Sequence, residues 1–187
     1  IVCAWLPVTQ GHYLERFRED VIDLGPNTEG AGIGLVVPSY VDIDSIAEMN
    51  DVADKFDGEI IGIDPGAGVM IKTDKVLEAY GLDDIELIEG SGAIMTATLK
   101  DRIDDGDGVA VTGWTPHWMF ARWDLKYLED PKEVYGESEA INTVVRKGLK
   151  EDHPEVFAFL DNFEWSLAEI GQVMDWNASG SEPEESA

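Results

Sequence analysis

The chain has 187 residues, of which 13 are Lys or Arg and 39 are Asp or Glu, giving a net charge of −26. A field of that sign repels phosphate and excludes nucleic acid as a partner. Hydrophobic residues make up 44% of the chain, enough for a packed core, and no apolar run reaches the roughly eighteen residues a transmembrane helix needs.

The acids are scattered along the whole chain, and lysine is scarce. That pattern fits a surface bathed in concentrated salt, where a Debye length of roughly 3 Å at about 1 M screens self-repulsion. A halophilic source is therefore expected, with a calcium-rich or merely acidic surface as the alternative. The densest acidic cluster, Asp101 to Asp107, lacks the glutamate that a calcium loop requires and reads as a solvated helix end. Cys3 is the single cysteine, which excludes an internal disulfide; in an apolar strand it reads as inert core. The opening IVCAWLPVTQ lacks the basic start and apolar block of a signal peptide. It reads as a buried strand entered mid-fold, so the chain is expected to begin inside a larger protein.

Taken in order, the pattern alternates. Val2 to Trp5 reads as a strand, and Gly11 to Leu24 as an amphipathic helix with Tyr13, Phe17, Val21 and Leu24 on one face. The stretch GPNTEGAG is a predicted loop, and Ile33 to Pro38 a buried strand. Asp44 or Ser45 can cap a short helix running through Ala53. Glu59 to Ile63 is a strand, followed by the loop DPGAG and a helix from Gly68 to Tyr80 that Gly81 ends. Ile85 to Ile88 is a strand, GSG a loop, and Ala93 to Ile103 a helix. Val109 to Thr112 is a strand, Asn142 to Val145 another, and Glu151 to Asn162 and Ser166 to Trp176 are helices. Residues 177–187 read as a disordered acidic tail. This alternation predicts an α/β fold, a parallel sheet with helices on both faces.

The segment VAVTGWTPHWMFARW holds three tryptophans. Gly113 should free the backbone there, and Pro116 suits a first helical turn. Trp118 and Trp123 read as packing. Trp114 should stand just past the strand, at the carboxyl edge where open α/β sheets place ligands, and core and cleft readings remain open. The loop Pro65-Gly66-Ala67-Gly68 opens a helix, whose unpaired N–H groups and dipole make an anion site. It is neither a Walker loop nor GxGxxG and has no nearby lysine, so a small carboxylate suits it better than a nucleotide; an ordinary tight turn is the alternative. Gly90-Ser91-Gly92 has the same shape, with the plain turn favoured. His12, His117 and His153 are far apart, with no metal spacing to Cys3, and His117 reads as a packed or capping residue. No nucleophile elbow or singled-out carboxylate pair occurs, so no enzyme, metal or cofactor is expected. The residues suggest recognition: tryptophan faces for a cation and a helix start for a carboxylate.

The runs IVCAWLPVTQGHY, GLVVPSYVDIDSIAEM, DGEIIGIDPGAGVM, SGAIMTATLKDRI and VTGWTPHWMFARWDLKYLEDP carry a resemblance over nearly all of residues 1–176. Together they resemble the substrate-binding protein of glycine betaine/proline betaine ABC transporters, and GWTPHWMF is highly specific. The resemblance implies a periplasmic-binding-protein type II fold whose two lobes close on the ligand, with one lobe incomplete here. Residues 41–134 are expected to form the more complete lobe; residues 1–40 and 135–176 belong to the other lobe and the crossings. Three tryptophans box a quaternary ammonium in that family, while amides of the PGAG loop and a histidine hold its carboxylate. Carried over, Trp5 and Trp114 are cage walls and Gly68 and Val69 supply the amides. Gln10 stands at the histidine's position, and the third tryptophan belongs to a segment that would precede Ile1.

The implied function is extracytoplasmic binding of glycine betaine, or a related osmolyte such as choline, carnitine or proline betaine. The ligand would be handed to an ABC permease at the periplasmic or cell-surface side of the membrane, for osmoprotection. The alternative is a sensory or interaction module that keeps the fold without the full pocket. Self-association of an incomplete chain is a further expectation.

Overall fold

The computed structural model describes residues 1–7 and 9–180. Of the predicted acidic tail, residues 181–187 lie outside this range, and Asn177 and Ala178 close the last helix. Two sheets share one long strand, β2 (Val21–Pro38). The first part of β2 pairs antiparallel with β7 (Glu139–Arg146), which in turn pairs antiparallel with the edge strand β1 (Val2–Leu6). Its last part pairs antiparallel with β5 (Ala110–Thr115) and β6 (Leu125–Tyr127). Beyond β5 lie β3 (Glu59–Ile61) and β4 (Glu86–Ile88), both parallel to their neighbours.

The sheet is therefore mixed. Only β3, β4 and β5 are parallel, because only they are joined by helical crossovers: α2 (Gly68–Tyr80) and α3 (Gly92–Asp105). A crossover of this kind returns the chain in the same direction, whereas β2, β6 and β7 enter by other routes.

The stretch GPNTEGAG, predicted as a loop, is instead the irregular middle of β2. Its register against β7 shifts between Asp23 and Pro26, again before Thr28 and again before Ala31. Bulges of this kind break the period of two that marks a strand, so no alternation is visible in the residues. Asn27 and Thr28 are nonetheless buried, and Asn27 Nδ2 donates to Thr143 Oγ1 on β7 at 2.7 Å.

The predicted helix from Gly11 to Leu24 stops at Phe17 (α1, Gly11–Phe17), and Val21 already belongs to β2. The Tyr13–Phe17–Val21–Leu24 spacing combined two elements: Tyr13 and Phe17 are exposed, while Leu14 and Val21 pack with Ala4, Leu6 and Val144. Cys3, read as core, is exposed, because β1 is an edge strand that turns Ala4 and Leu6 inward. The predicted helix over 151–162 is split into α5 (Leu149–Asp152) and α6 (Pro154–Asp161), since a residue preceding proline is driven out of the helical region.

Other elements follow their local chemistry. Ser45 and Glu48 form a reciprocal capping box on a 3₁₀ segment, Ile46–Phe56. The same device, Ser166 with Glu169, opens α7 (Leu167–Ala178). Gly81 and Gly106 end α2 and α3 in the left-handed conformation that lets their N–H groups cap the last turn. The larger core packs α2 and the 3₁₀ segment on β2 and β3 around Leu35, Ile46, Met49, Ile60 and Met70. The second gathers Val36, Met95, Leu99, Val111 and Met119 between α3, β5 and α4 (Met119–Arg122). No helix among the described residues is long and apolar enough to cross a membrane.

Candidate ligand-binding site

Trp114 lies inside β5, opposite Ile33 of β2, instead of past the strand's end. The strand runs on through Gly113 because the backbones approach closely there. A Cβ on Gly113 would sit 2.4 Å from Val36 Cγ2, so this glycine supplies proximity, not a turn. Pro116 does not open a helix; α4 starts at Met119, after Trp118. Trp118 and Trp123 pack against the second core, with ring centroids 5.4 Å apart and the Arg122 guanidinium 4.7 Å above the Trp118 ring.

The Trp114 ring is held from behind. It meets His117 edge-on at a centroid distance of 4.5 Å, and His117 Nδ1 accepts the Met119 N–H at 3.1 Å. That bond puts the ring proton on Nε2. Burial pushes the His117 pKa down to about 4, so the imidazole is a neutral spacer under Trp114.

Trp5, Gln10, Gly68, Val69 and Trp114 all line one open cleft of about 280 Å³. Ala67 of the predicted anion loop joins them, with three positions that the sequence did not single out: Thr9, Ile33 and Ile63. Ile33 and Ile63 carried a signal, since each stands at the end of an apolar strand run that points toward a glycine-rich turn. No residue lining this cleft is ionisable, among those described. Once water is excluded from such a lining an uncompensated charge is costly, whereas a zwitterion of zero net charge brings its own counterion.

At one end of the cleft, α2 begins without a side-chain cap, because its N-cap is Ala67. Met70 and Ile71 N–H both donate to the Ala67 carbonyl at 3.0 and 3.2 Å. The amides of Gly68 and Val69 have no acceptor among the described residues and constitute the positive end of a thirteen-residue helix. At the other end, Gln10 is tied to Trp5 in both directions. Its Oε1 accepts the Trp5 N–H at 2.8 Å and its own N–H donates to the Trp5 carbonyl at 2.9 Å. Gln10 thus fixes the wall residue and has its acceptor committed. His12 is exposed and lies tilted against the Tyr13 ring, with centroids 4.0 Å apart, and does not line the cleft. The Gly90–Gly92 loop is not part of the cleft either; Ser91 Oγ caps α3 by accepting the Ile94 N–H. No cluster of potential metal ligands occurs among the described residues.

The model of the family described as the substrate-binding domain of ABC-type glycine betaine transport systems matches residues 1–187. The glycine betaine/carnitine transport binding protein GbuC of Listeria monocytogenes is 48% identical over 139 residues, 73% of this chain and 46% of its own length. The crystal structure of lactococcal OpuAC in its closed, liganded conformation with glycine betaine superposes with a TM-score of 0.85 at 45% identity. It covers 99% of this chain and 72% of the lactococcal one. The glycine betaine/L-proline-binding protein ProX of Borrelia burgdorferi gives a TM-score of 0.83 at 40% identity, covering 99% of this chain and 71% of its own. The fold is that of the type II periplasmic binding proteins, and this chain spans just under half the length, 46%, of its curated relative.

Proposed function

We propose, since the chain belongs to the family of substrate-binding domains of ABC-type glycine betaine transport systems, that it captures glycine betaine in the cleft between Trp5, Trp114 and the start of α2. The observation that carries this reading is the gathering, around one cleft, of two indole rings and two helix-start amides that have no acceptor among the described residues, with no ionisable residue in the described lining.

The chemistry follows from the two ends of the ligand. A trimethylammonium has no hydrogen to donate, so its hydration shell is replaced by ring faces, each worth on the order of 0.5–2 kcal/mol. The carboxylate accepts from Gly68 and Val69 N–H, where the dipole of α2 adds to the bonds. Gln10 holds Trp5 in place. In this reading the two sheets that share β2 belong to two lobes, residues 41–134 with the end of β2 in one, and residues 1–40 and 135–176 in the other and the crossings; closing them excludes water and strengthens both contacts.

Delivery to an ABC permease on the outer side of the cytoplasmic membrane follows from this reading, as does import for osmoprotection in brine. The relatives named for glycine betaine support the ligand class. β1 is an edge strand that starts at exposed Val2, with exposed Tyr13 and Phe17 of α1 beside it, which supports pairing between copies of the 187-residue chain.

Titration calorimetry against three ligands tests the site. Glycine betaine should release heat and bind. Choline, which lacks the carboxylate, and 3,3-dimethylbutanoate, in which carbon replaces the ammonium nitrogen, should each bind at least about tenfold more weakly. Equal affinity for all three would refute the two-ended recognition.

A further inference from the structure

Thr9 bridges two parts of the molecule that the proposed ligand must also bridge. Its N–H donates to Glu139 Oε1 at 2.7 Å, and its hydroxyl donates to Glu139 Oε2. Its methyl faces the other way: a Cβ built on Gly68 would find Thr9 Cγ2 as its nearest neighbour, at 3.8 Å. Glu139 is 4% exposed and opens β7 opposite Ala31. This is where β2 leaves its β7 pairing for β5, at Gly32. Both chain crossings there carry a glycine in the left-handed region, Gly30 at φ +79° and Gly136 at φ +92°.

We infer that Glu139 is a positioning residue for ligand capture, clamping Thr9 so that the Trp5 wall and the Gly68–Val69 amides stand one ligand length apart. The deduction deepens the proposed function and rests on it. Glu139 sits at the crossing, Thr9 spans from it to the first residue of α2, and the adjacent Gln10 holds Trp5. A carboxylate receiving two donors from one residue fixes that residue more rigidly than a neutral acceptor would. The clamp therefore sets the separation of the cation wall from the anion amides. It selects ligands by the spacing between ammonium and carboxylate, which is one methylene in glycine betaine and two in β-alanine betaine.

The test uses the 187-residue chain and its Thr9→Val, Thr9→Ser and Glu139→Ala variants. Calorimetry with glycine betaine and β-alanine betaine reads affinity and selectivity, and amide hydrogen exchange without ligand reads the clamp itself. Thr9→Val should bind glycine betaine about tenfold more weakly, as expected for losing a hydrogen bond to a charged group. It should bind β-alanine betaine with much less change, so that selectivity narrows. Thr9→Ser keeps the hydroxyl bond to Glu139 but loses the methyl beside Gly68, so it should restore part of the preference, and adding Thr9→Val to Glu139→Ala should cost nothing more. Thr9 and Gln10 amides should exchange faster in Glu139→Ala. A folded Thr9→Val protein with unchanged affinity and selectivity would overturn the inference, as would unchanged exchange at Thr9 and Gln10 in Glu139→Ala. No heat from the unaltered chain with either ligand would count against the proposed function, and the exchange comparison would then decide the clamp alone.

Discussion

Truncating Trp114 to alanine separates ligand recognition from packing. The indole lines the cleft on one side and leans on His117 on the other, with a 4.5 Å edge-on contact and further packing against the second core. Two losses are therefore expected. Removing the ring face from a trimethylammonium should weaken glycine betaine binding by about 1–2 kcal/mol, roughly five- to thirtyfold. Removing a half-buried aromatic should also lower stability, by about 1–3 kcal/mol. Trp123→Ala is the control, because Trp123 packs on Trp118 and the second core and does not line the cleft. It should lower the melting temperature and leave the dissociation constant within about twofold. Trp114→Phe keeps a ring and should recover part of the affinity. Calorimetric titration and scanning on the same samples give both quantities. Unchanged betaine affinity in folded Trp114→Ala protein would refute the placement of the cation on this ring.

With a charge of −26, the melting temperature should climb as KCl rises from low to molar concentration, through screening of self-repulsion, and a flat profile would contradict the halophilic reading. Thr112 is fully buried in β5 and its hydroxyl has no partner among the described residues, so Thr112→Val should stabilise by about 1 kcal/mol; a lower melting temperature would show that the hydroxyl is satisfied. His117 is neutral in the fold, with a pKa pushed down by burial to about 4 against about 6.5 when unfolded. The unfolded chain binds the extra proton between those values, so this histidine's contribution is fully present above about pH 6.5 and is lost as pH falls toward about 4. It amounts to at most about 3 kcal/mol, and unfolding curves for His117→Gln should lack that share of the acid dependence.

Legibility in the sequence followed how local the determining physics was. The α2 boundaries, Gly68 to Tyr80 with Gly81 closing, are set by a glycine turn, a helical period and a left-handed cap within a few residues, and all are visible in one chain. The capping serines at 45 and 166 are equally local. The middle of β2 was illegible because its ladder is made by β7, more than a hundred residues away, through bulges that erase alternation. The antiparallel half of the sheet was missed for the same reason. Trp114 and the PGAG loop stood out in the residues as recognition elements, yet what brings them beside Trp5 is the long-range route of β2 and β7. Thr9 gave no signal, since its partner Glu139 is one acid among 39. Gln10 does line the cleft, but its hold on Trp5 through the side-chain oxygen was not legible, because that bond depends on the fold of the segment between them.

The proposed site places the cation of glycine betaine between Trp5 and Trp114. It is tested most directly by intermolecular nuclear Overhauser effects on the 187-residue chain with glycine betaine in molar KCl. Cross-peaks are expected from the N-methyl protons to the indole protons of both Trp5 and Trp114, each lost when that tryptophan is replaced by alanine. Cross-peaks confined to other aromatic rings, such as Trp165 or Trp176, would contradict it.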